Sequence, residues 1–342
     1  MQNKSAWIAG SLTALGVCAA IIIGSRGLTH FDPELTFYAI GAVLTAFAVA
    51  YRFTTWSQRP PTRLYLRRGI QLIFRGRFRR RPVVIAKATT DKFVAQNFIR
   101  RRSWYRWIMH LCLSGGCTLA FAVTFPLVFG WIHFSAEAGN PDVYLVKLFG
   151  FTVDRFDIHG LKAAIMFNML NIAAVLVLVG LVMAAIRRIT DAGERATQKF
   201  YEDILPLLLI FAVTATGLAL TVSYRFLGGA GHHLWVVVHL FSVLALLFYI
   251  PFGKLFHMFQ RICSLCVSLY KREGHRVPRA LCARCGTGFA SSLHVEDLKG
   301  VLDELGFNYR FATPGVEVHY QDICPACRRR LVALNQGRVL GR

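Results

Sequence analysis

Histidines inside or next to long apolar stretches are the side chains of this sequence best suited to bind a cofactor. An ionisable residue is costly within a bilayer, so its presence there points to function. His239 and His257 are 18 residues apart, which is about five turns of an α-helix, so one continuous helix would present both on one face, ~27 Å apart along its axis. Imidazole is an axial ligand of haem iron. The spacing therefore predicts one redox centre near each face of a membrane.

A second imidazole facing His257 is expected on another helix at the same depth. His110 lies near the start of an apolar stretch, level with His257, and the small residues 114–116 follow it within about a turn. Small residues there leave room for a flat macrocycle or allow close packing of helices. Two facing helices that each supply an imidazole can hold a haem in a bundle core. We therefore predict a haem b held by His110 and His257, although a lone histidine at either position is also explained by an interfacial side chain.

Six of the nine cysteines form three CxxC pairs outside the apolar stretches. The pairs are Cys263 with Cys266, Cys282 with Cys285, and Cys324 with Cys327. A cytoplasmic location disfavours stable disulfides, and four thiolates form the tetrahedral site of structural zinc or of a mononuclear iron.

The segments CARCGTGF and CPACRRR look like two metal knuckles, so the second and third pairs are expected to form one site, with zinc favoured over iron. A site built from the first and second pairs, separated by 15 residues, is an alternative within the range of zinc sites. Cys263 and Cys266 are otherwise interpreted as inert thiols, as a redox dithiol or as part of a cluster.

Six stretches of roughly 20 apolar residues must position these side chains. Of the 342 residues, 55% are hydrophobic and only 17% charged, whereas soluble chains carry about 25% charged residues. About 20 apolar residues in a helix cross a ~30 Å hydrocarbon core. The predicted spans lie at about 6–24, 35–51, 107–132, 163–186, 204–224 and 234–256. The first is interpreted as a retained helix rather than a signal peptide, because it is about as long as a full span.

The formal net charge of +22 follows a topological pattern rather than that of a nucleic-acid-binding protein. With six spans and the N-terminus inside, 35 of the 40 Lys and Arg residues fall on one side. The five on the other side are Arg26, Lys147, Arg155, Lys162 and Arg225. Positive residues are retained in the cytoplasm, so we predict a multi-pass protein of a prokaryotic inner membrane with both termini cytoplasmic. The basic residues are expected to contact anionic lipid head groups, with no nucleic acid as partner.

The predicted fold is all-α: a polytopic bundle of six transmembrane helices with a small cytoplasmic, metal-ribbon-like C-terminal domain. An additional N-terminal helix occupies 1–34, a haem-binding core 35–262 and a Cys-rich metal-binding domain 263–342. The core includes a basic cytoplasmic loop at 52–106, where alternating apolar and Arg residues predict an amphipathic helix at the membrane interface or a docking platform for a partner. An outer loop is predicted around 134–161.

The run HLFSVLALLFYIPFGKLFH, residues 239–257, resembles the final helix of the gamma-type cytochrome b subunits of respiratory nitrate reductase. Related membrane subunits occur with heterodisulfide reductases and dissimilatory sulfite reductase complexes. The resemblance implies two haem b groups, with His239 and His257 as ligands and Pro251 and Phe252 before the second of them. It also implies a five-helix core formed by spans two to six, so that the first span is an addition.

The second ligand of the outer haem is not where the resemblance would place it. In that family the second core helix carries two histidines, but residues 120–121 of this chain are Ala and Phe. His133, His159 and the pair 232–233 are the remaining candidates, and His133 is favoured. The alternative is a single inner haem, with His239 as a hydrogen-bond partner of a quinone.

The resemblance also implies the function. It predicts a membrane cytochrome b subunit that transfers electrons between the quinone pool and a cytoplasmic iron–sulfur or flavin redox subunit. Lys162 would lie by the quinol pocket, although an ordinary interfacial lysine explains it equally. Two other classes remain open: a thiol–quinone oxidoreductase that uses Cys263 and Cys266, and an ion or metal transporter. The transporter is disfavoured because the paired broken helices of transporters are absent from the pattern.

Overall fold

Six helices of the computed structural model are long and apolar enough to cross a membrane, within the residues that the structure describes, which are 3–29, 31–75, 81–313 and 316–339. In chain order the helices are α1 (Lys4–Gly24), α2 (Thr36–Ser57), α3 (Pro60–Phe74), α4 (Pro82–Thr89), α5 (Asn97–Arg100), α6 (Trp104–Val128), α7 (Leu161–Thr190), α8 (Ala192–Thr197), α9 (Leu205–Phe226), α10 (His232–Phe252), α11 (His257–Gly274), α12 (Ser292–Glu304) and α13 (Pro325–Val339). The spanning helices are α1, α2, α6, α7, α9 and α10, which confirms the prediction of six spans in a multi-pass membrane protein.

The prediction of an all-α protein is wrong in detail, because the described residues also form small antiparallel sheets. The strands are β1 (Ile132–Glu137), β2 (Asn140–Leu148), β3 (Phe151–Asp157), β4 (Arg279–Leu281), β5 (Gly288–Ser291), β6 (Arg310–Thr313) and β7 (Val316–His319). They pair as β1–β2–β3, β4–β5 and β6–β7.

The predicted outer loop is the three-stranded sheet β1–β2–β3, which joins α6 to α7. Gly139 and Gly150 adopt positive φ angles of 86° and 92° between its strands, a conformation that glycine adopts at little cost. Aromatic rings cover one side of the sheet, where Phe134, Phe156 and Phe167 have centroids within 6.0 Å of one another. Phe167 belongs to α7, so this contact fixes the sheet on the end of that helix. We call this end of the bundle the sheet end.

The chain divides into two compact units whose limits differ from the predicted domains. The first unit comprises Met1–Thr54 and Gln96–Phe259, and the second comprises Thr55–Ala95 and Gln260–Arg342. The predicted boundary near residue 263 therefore lies close to the observed one. Most of the basic loop, in contrast, belongs with the C-terminal tail rather than with the helix bundle.

Small residues allow the helices of the first unit to approach closely. A Cβ at Gly116 of α6 would lie 2.8 Å from the Ala173 carbonyl of α7, and one at Gly180 of α7 would lie 2.9 Å from the Leu113 amide nitrogen. Gly41 brings α2 equally close to Leu244 of α10. Of the small residues 114–116, Gly116 is thus explained by helix packing. Helix α1 packs on α2 from outside, with the Trp7 and Phe47 rings 5.3 Å apart.

The predicted continuous helix between His239 and His257 is interrupted at Gly253. Helix α10 ends at Phe252, Gly253 is extended, and a short 3₁₀ turn (Lys254–Phe256) precedes α11. A Cβ at Gly253 would lie 2.1 Å from the Tyr249 ring, so only glycine fits. The argument that a five-turn spacing places both histidines on one face is therefore wrong, because the helix does not continue between them.

The interruption is held in place by contacts from neighbouring segments of the first unit. Arg52 of α2 donates a hydrogen bond to the Pro251 carbonyl, and its guanidinium lies 4.4 Å from the centre of the Phe256 ring. The Tyr249 hydroxyl donates to the Tyr201 carbonyl at 2.7 Å. The turn that precedes His257 is thus defined by packing and hydrogen bonds. We call this the kink end of the bundle, opposite the sheet end.

The predicted amphipathic segment after Pro60 is helix α3, and it packs within the second unit. A Cβ at Gly69 would lie 2.3 Å from the Cys266 Cβ of α11. Arg68 donates to the Asp297 carboxylate of α12 at 2.7 Å, and the Tyr270 hydroxyl of α11 donates to the same carboxylate at 2.8 Å. Helices α3, α11 and α12 therefore share one core, which explains why most of the basic loop belongs with the tail.

Candidate metal centre and cavity in the helix bundle

Four cysteine sulfurs of the second unit come together as a site able to bind a metal ion. The Sγ atoms of Cys282, Cys285, Cys324 and Cys327 all lie within 4.8 Å of one another, and those of Cys285 and Cys324 are 3.8 Å apart. A tetrahedral ion with metal–sulfur bonds of about 2.3 Å holds its sulfurs ~3.8 Å apart. The prediction that the second and third CxxC pairs form one four-cysteine site is confirmed.

Two different local structures supply the pairs. Cys282 follows β4 in a tight turn closed by the Gly286 amide, which donates to the Cys282 carbonyl at 2.8 Å, and Gly286 has a φ of +70°. Cys324 precedes α13 and Cys327 lies in its first turn. The two turns are joined by the Ala283 amide, which donates to the Asp322 carbonyl at 2.9 Å.

Backbone donors favour thiolates at the centre of this site. Burial raises the pKa of the Cys282 thiol, but amides of residues including Cys324 donate to its sulfur and hold the pKa at about 6. The hydroxyl of Thr287, beside the Cys285 sulfur, lowers the pKa of that thiol. The pKa of Cys327 is raised to about 12, first by its hydrogen bond with Cys324. Protons are thus held unequally among the four sulfurs, as expected of a ligand set that needs a cation to be fully ionised.

Cys263 and Cys266 are not part of this site. Both lie in α11, where their side chains are buried in the second unit, and Cys266 contacts Gly69 of α3. Burial raises the pKa of the Cys263 thiol to about 11 and also raises that of Cys266. A buried thiol with a raised pKa is a poor nucleophile. The alternative site that joins Cys263 and Cys266 to Cys282 and Cys285 is not formed in the structure, where the latter two group with Cys324 and Cys327.

The first unit contains a cavity of about 410 Å³. Helices α2, α6, α7, α9 and α10 contribute its walls, and α1 contributes none of the lining residues. Small side chains create much of the space, among them Ala42, Ala120, Ala173, Ala174 and Gly217. A volume of this size suits a small-molecule ligand or cofactor.

His239 lines the cavity, and Thr216 of α9 fixes its ring. The Thr216 hydroxyl oxygen lies 2.7 Å from the Ala212 carbonyl oxygen, 3.2 Å from that of Val213 and 2.8 Å from His239 Nδ1. A hydroxyl can donate or accept, so this contact holds the His239 ring against α9 in either tautomer of the imidazole. Gly217 allows this approach, because a Cβ there would lie 3.3 Å from the His239 ring. An imidazole held in this way can offer its Nε2 to a bound molecule as a hydrogen-bond donor or acceptor, or to a metal as a ligand.

A chain of polar side chains runs from the cavity towards the sheet end. Thr221 of α9 donates to Asn171 Oδ1 at 3.1 Å, and Asn171 Nδ2 donates to Asn168 Oδ1 at 3.1 Å. Asn168 in turn donates to the Ala164 carbonyl at 2.8 Å. Asn171 and Thr221 line the cavity, so they offer hydrogen-bonding atoms to a bound molecule.

His257 is fixed at the kink end in a single tautomer. Its Nδ1 lies 2.7 Å from the Lys254 carbonyl oxygen. A carbonyl oxygen only accepts hydrogen bonds, so Nδ1 carries the proton and Nε2 carries the lone pair. His110, its predicted partner, is half-buried in α6. Neither side chain is among those lining the cavity.

The histidines that were candidates for the second ligand of the outer haem lie away from the cavity. His133 is in β1, with Nε2 3.2 Å from Arg26 Nη2. The exposed His159 has Nε2 3.7 Å from the Asp142 carboxylate. Residues 232–233 begin α10 and are exposed. None of these side chains lines the cavity as the structure describes it, so a bis-imidazole outer haem built from them is not supported.

Lys162 also lies outside the cavity. Its ammonium forms an ion pair with Asp154 of β3 and is 5.8 Å from the centre of the Phe156 ring. These contacts account for Lys162 as a residue that fixes the sheet to the start of α7.

Comparisons of the chain with protein-family models, curated proteins and solved structures find no match. The likeness of residues 239–257 to the nitrate reductase subunits therefore stays a prediction. Function must be argued from the chemistry of the two sites.

Several residues of the cavity were not singled out in the sequence, although a signal was present. Thr216, Asn171 and Thr221 are polar side chains within predicted spans, where unsatisfied polar groups are costly. Each of these polar groups needs a hydrogen-bond partner within the bundle, and this requirement indicates contacts between α7, α9 and α10. It does not show that these contacts border a cavity, because that depends on how five helices pack.

Proposed function

We propose that this protein is the membrane subunit of an electron-transfer complex that exchanges electrons between the quinone pool and a cytoplasmic redox partner. Nε2 of His257 and His110 would hold a b-type haem at the kink end, and this haem would supply the one-electron chemistry. The cytoplasmic partner is an iron–sulfur or flavin subunit. No residue of the bundle is assigned catalytic chemistry on a further substrate.

The observation that carries this proposal is the orientation of His257. The Gly253 interruption and the Lys254 carbonyl fix the ring, so that Nε2 carries the lone pair an iron ion requires. A metal-binding histidine generally donates its other N–H to an oxygen in this way. The guanidinium of Arg52, which contacts Pro251 and Phe256, places a cation at the same end. A cation there suits the carboxylates of a haem.

The bound haem would supply one-electron chemistry, and the residues of this chain would hold it and exclude water. His110 is the second ligand on the grounds of sequence, because it lies on α6 at the depth predicted for His257. Loss of either imidazole should therefore have the same effect on the haem.

The four-cysteine site is proposed to bind zinc as a structural ion. Its two pairs come from turns that are far apart in the sequence, so an ion would strengthen the link between the β4–β5 hairpin and α13. Iron in the same S4 geometry is the alternative. The tail built around this ion is a candidate surface for the cytoplasmic partner.

The thiol–quinone alternative is disfavoured by the chemistry of α11. Cys263 and Cys266 are buried and their pKa values are raised, which opposes thiolate formation. The transporter alternative is disfavoured by the cavity, because none of its described lining residues is Asp, Glu, Lys or Arg. A lining without charged side chains cannot compensate the charge of a transported ion.

The membrane orientation is a further expectation of this proposal. Because 35 of the 40 Lys and Arg residues partition to one side, we expect the kink end and both termini in the cytoplasm and the sheet end in the periplasm. A reporter active only in the periplasm should be inactive when fused after Arg342 and active when inserted at Gly139. The opposite pattern would contradict the orientation and place the four-cysteine site outside the cytoplasm.

The visible spectrum of the purified protein tests the proposal directly. A low-spin b-type haem should give sharp α and Soret bands in the dithionite-reduced protein, and extraction should give about one haem per chain. A thiol enzyme or a transporter would show neither band. Absence of haem from protein prepared with adequate haem supply would refute the proposed function.

A further inference from the structure

The three-stranded sheet of the first unit has two turns of opposite character. Strand β2 separates them, and its nine residues span about 30 Å at ~3.3 Å per residue. The β1–β2 turn is polar, and its residues 139–142 are exposed. The β2–β3 turn is apolar: it has the sequence Leu-Phe-Gly-Phe at 148–151, and its Phe151 is 77% exposed. We call residues 148–151 the apolar tip.

The apolar tip is held against the last turns of α1, one of the spanning helices. The Phe149 amide donates to the Trp131 carbonyl at 2.7 Å, and the two rings stack with centroids 6.2 Å apart. The Trp131 indole N–H donates to the Ala20 carbonyl of α1 at 2.9 Å. Ala20 lies four residues before the end of α1 at Gly24, or ~6 Å inside that end along the axis. The tip therefore lies at the depth where a spanning helix leaves the hydrocarbon core.

The surface of α1 at this depth is apolar and exposed. Ile22 and Ile23 lie between Ala20 and the end of the helix, and both are exposed. A spanning helix turns such side chains to lipid, and tryptophan is enriched where the membrane meets water. A large exposed apolar patch calls for a covering partner. Since the tip continues the lipid-facing surface of α1, lipid is the partner that the structure favours.

Charged side chains are divided between the two ends of the sheet in the same way. Lys147 directly precedes the apolar tip, and Arg26 lies beside it, because a Cβ at Gly150 would be 3.4 Å from Arg26 Nη2. Three acidic residues lie at the other end of the strands, with the polar turn: Glu137, Asp142 and Asp157. Lysine and arginine beside an apolar surface suit the phosphates of lipid head groups.

We propose that the apolar tip inserts into the head-group region of the lipid bilayer, so that the sheet is anchored to phospholipid. Leu148, Phe149 and Phe151 would lie among the first acyl carbons. Arg26 and Lys147 would reach the lipid phosphates, and the polar β1–β2 turn would stand in water. The proposal is independent of electron transfer, because it uses only the sheet and the spanning helix that holds it.

Photo-cross-linking identifies the occupant of this surface. Full-length protein with p-benzoylphenylalanine in place of Phe151 is reconstituted into vesicles of phosphatidylethanolamine and phosphatidylglycerol. Irradiation should attach phospholipid, detected as an increase in the mass of the intact chain. The same amino acid in place of Asn140, in the polar turn, is the matched control and should give no lipid adduct. Both positions are exposed, so neither replacement should disturb the fold, and an unchanged elution volume in detergent checks this.

Each other outcome of this experiment would overturn the proposal. A cross-linked dimer from position 151 would make a second copy of the chain the occupant. No adduct at position 151 would place the tip in water. Lipid adducts at both positions would show that the whole sheet lies on the bilayer, without the proposed difference between its two turns.

Fluorescence quenching measures the depth of the tip independently. The emission that Phe151→Trp adds to the wild-type spectrum should be quenched by brominated lipids, more by bromine near the head group than by bromine near the chain end. The reason is that an interfacial segment reaches only ~5–10 Å into the boundary of head groups and acyl chains. The emission added by Asn140→Trp should respond to aqueous iodide instead. Equal quenching by iodide at the two positions would contradict insertion of the tip.

Discussion

Cys324→Ala is expected to release the bound metal and to unfold the region around the four-cysteine site. The apolar core of this region is small, comprising Cys282, Ile323 and Cys324 with a few half-buried neighbours. Such a core contributes only a few kcal/mol on its own, whereas zinc binding to comparable sites contributes roughly 10–16 kcal/mol. Because Cys324 supplies a buried sulfur of the site, 3.8 Å from that of Cys285, the remaining three thiols cannot complete a tetrahedral shell.

Metal content and protease sensitivity together measure this effect. Elemental analysis should give about one zinc per chain in the wild type and close to none in Cys324→Ala. Limited proteolysis should then cleave within residues 279–339, which the wild type protects. Cys263→Ala is the matched control, since it removes a buried thiol of another CxxC pair and should retain the metal. Wild-type protein with neither zinc nor non-haem iron would show that the four thiols serve another purpose.

His257→Ala and His110→Ala are each expected to remove the same haem. A low-spin haem with two imidazole ligands loses its spectrum when either is absent, so haem per chain should fall from about one to near zero in both variants. The double variant should contain as little haem as either single variant, because both imidazoles are needed to hold the same haem. Zinc content should be unchanged, which would separate loss of haem from general misfolding.

His159→Ala is the control for this pair, since the exposed His159 interacts only weakly, with Asp142 at 3.7 Å. Its reduced spectrum should match the wild type. Retention of the full α band in His257→Ala would show that the ligand pair is wrong. Loss of the band in His257→Ala but not in His110→Ala would keep His257 as a ligand and require a different partner.

The arrangement of the spans could be predicted from sequence because it depends on local composition. Long apolar runs and the uneven distribution of Lys and Arg are visible residue by residue, and six spanning helices were found where they were expected. The four-cysteine site was equally accessible, because CxxC spacing and the glycine of the first knuckle encode its geometry locally. The pairing of the second and third CxxC pairs followed from the knuckle sequence that both share.

The interruption at Gly253 could not be predicted from periodicity. The apolar pattern continues through Pro251 and Phe252, so the spacing of His239 and His257 suggested one helix. The Tyr249 ring fills the space that a Cβ at residue 253 would need, and a tertiary contact, the hydrogen bond from the Tyr249 hydroxyl to the Tyr201 carbonyl, holds that ring. The sequence Pro-Phe-Gly contained a warning, since proline and glycine both weaken a helix.

The sheet between α6 and α7 was missed for a different reason. The segment 134–161 follows a long apolar span and contains Gly139-Asn140-Pro141 and four acidic residues, which predicts a loop. Its alternation, most visible in the FTVDRFD of β3, is typical of strands with one covered face. What stabilises them is the contact of Phe134 and Phe156 with Phe167 of α7, a pairing between segments that local patterns do not reveal.

The start of α13 at the second knuckle places positive charge beside the metal centre, which would affect the reduction potential of a bound iron. Four thiolates around a divalent ion carry a net charge of about −2, while the first turn of a helix presents a partial positive charge of about +0.5. Arg328 adds a full positive charge there, held by hydrogen bonds to the Ile323 carbonyl and the Gln321 side chain. These surroundings stabilise the more negative state of the centre. An iron-loaded form should therefore have a raised reduction potential and rest in the ferrous state, whereas a zinc-loaded form has no oxidation state to shift.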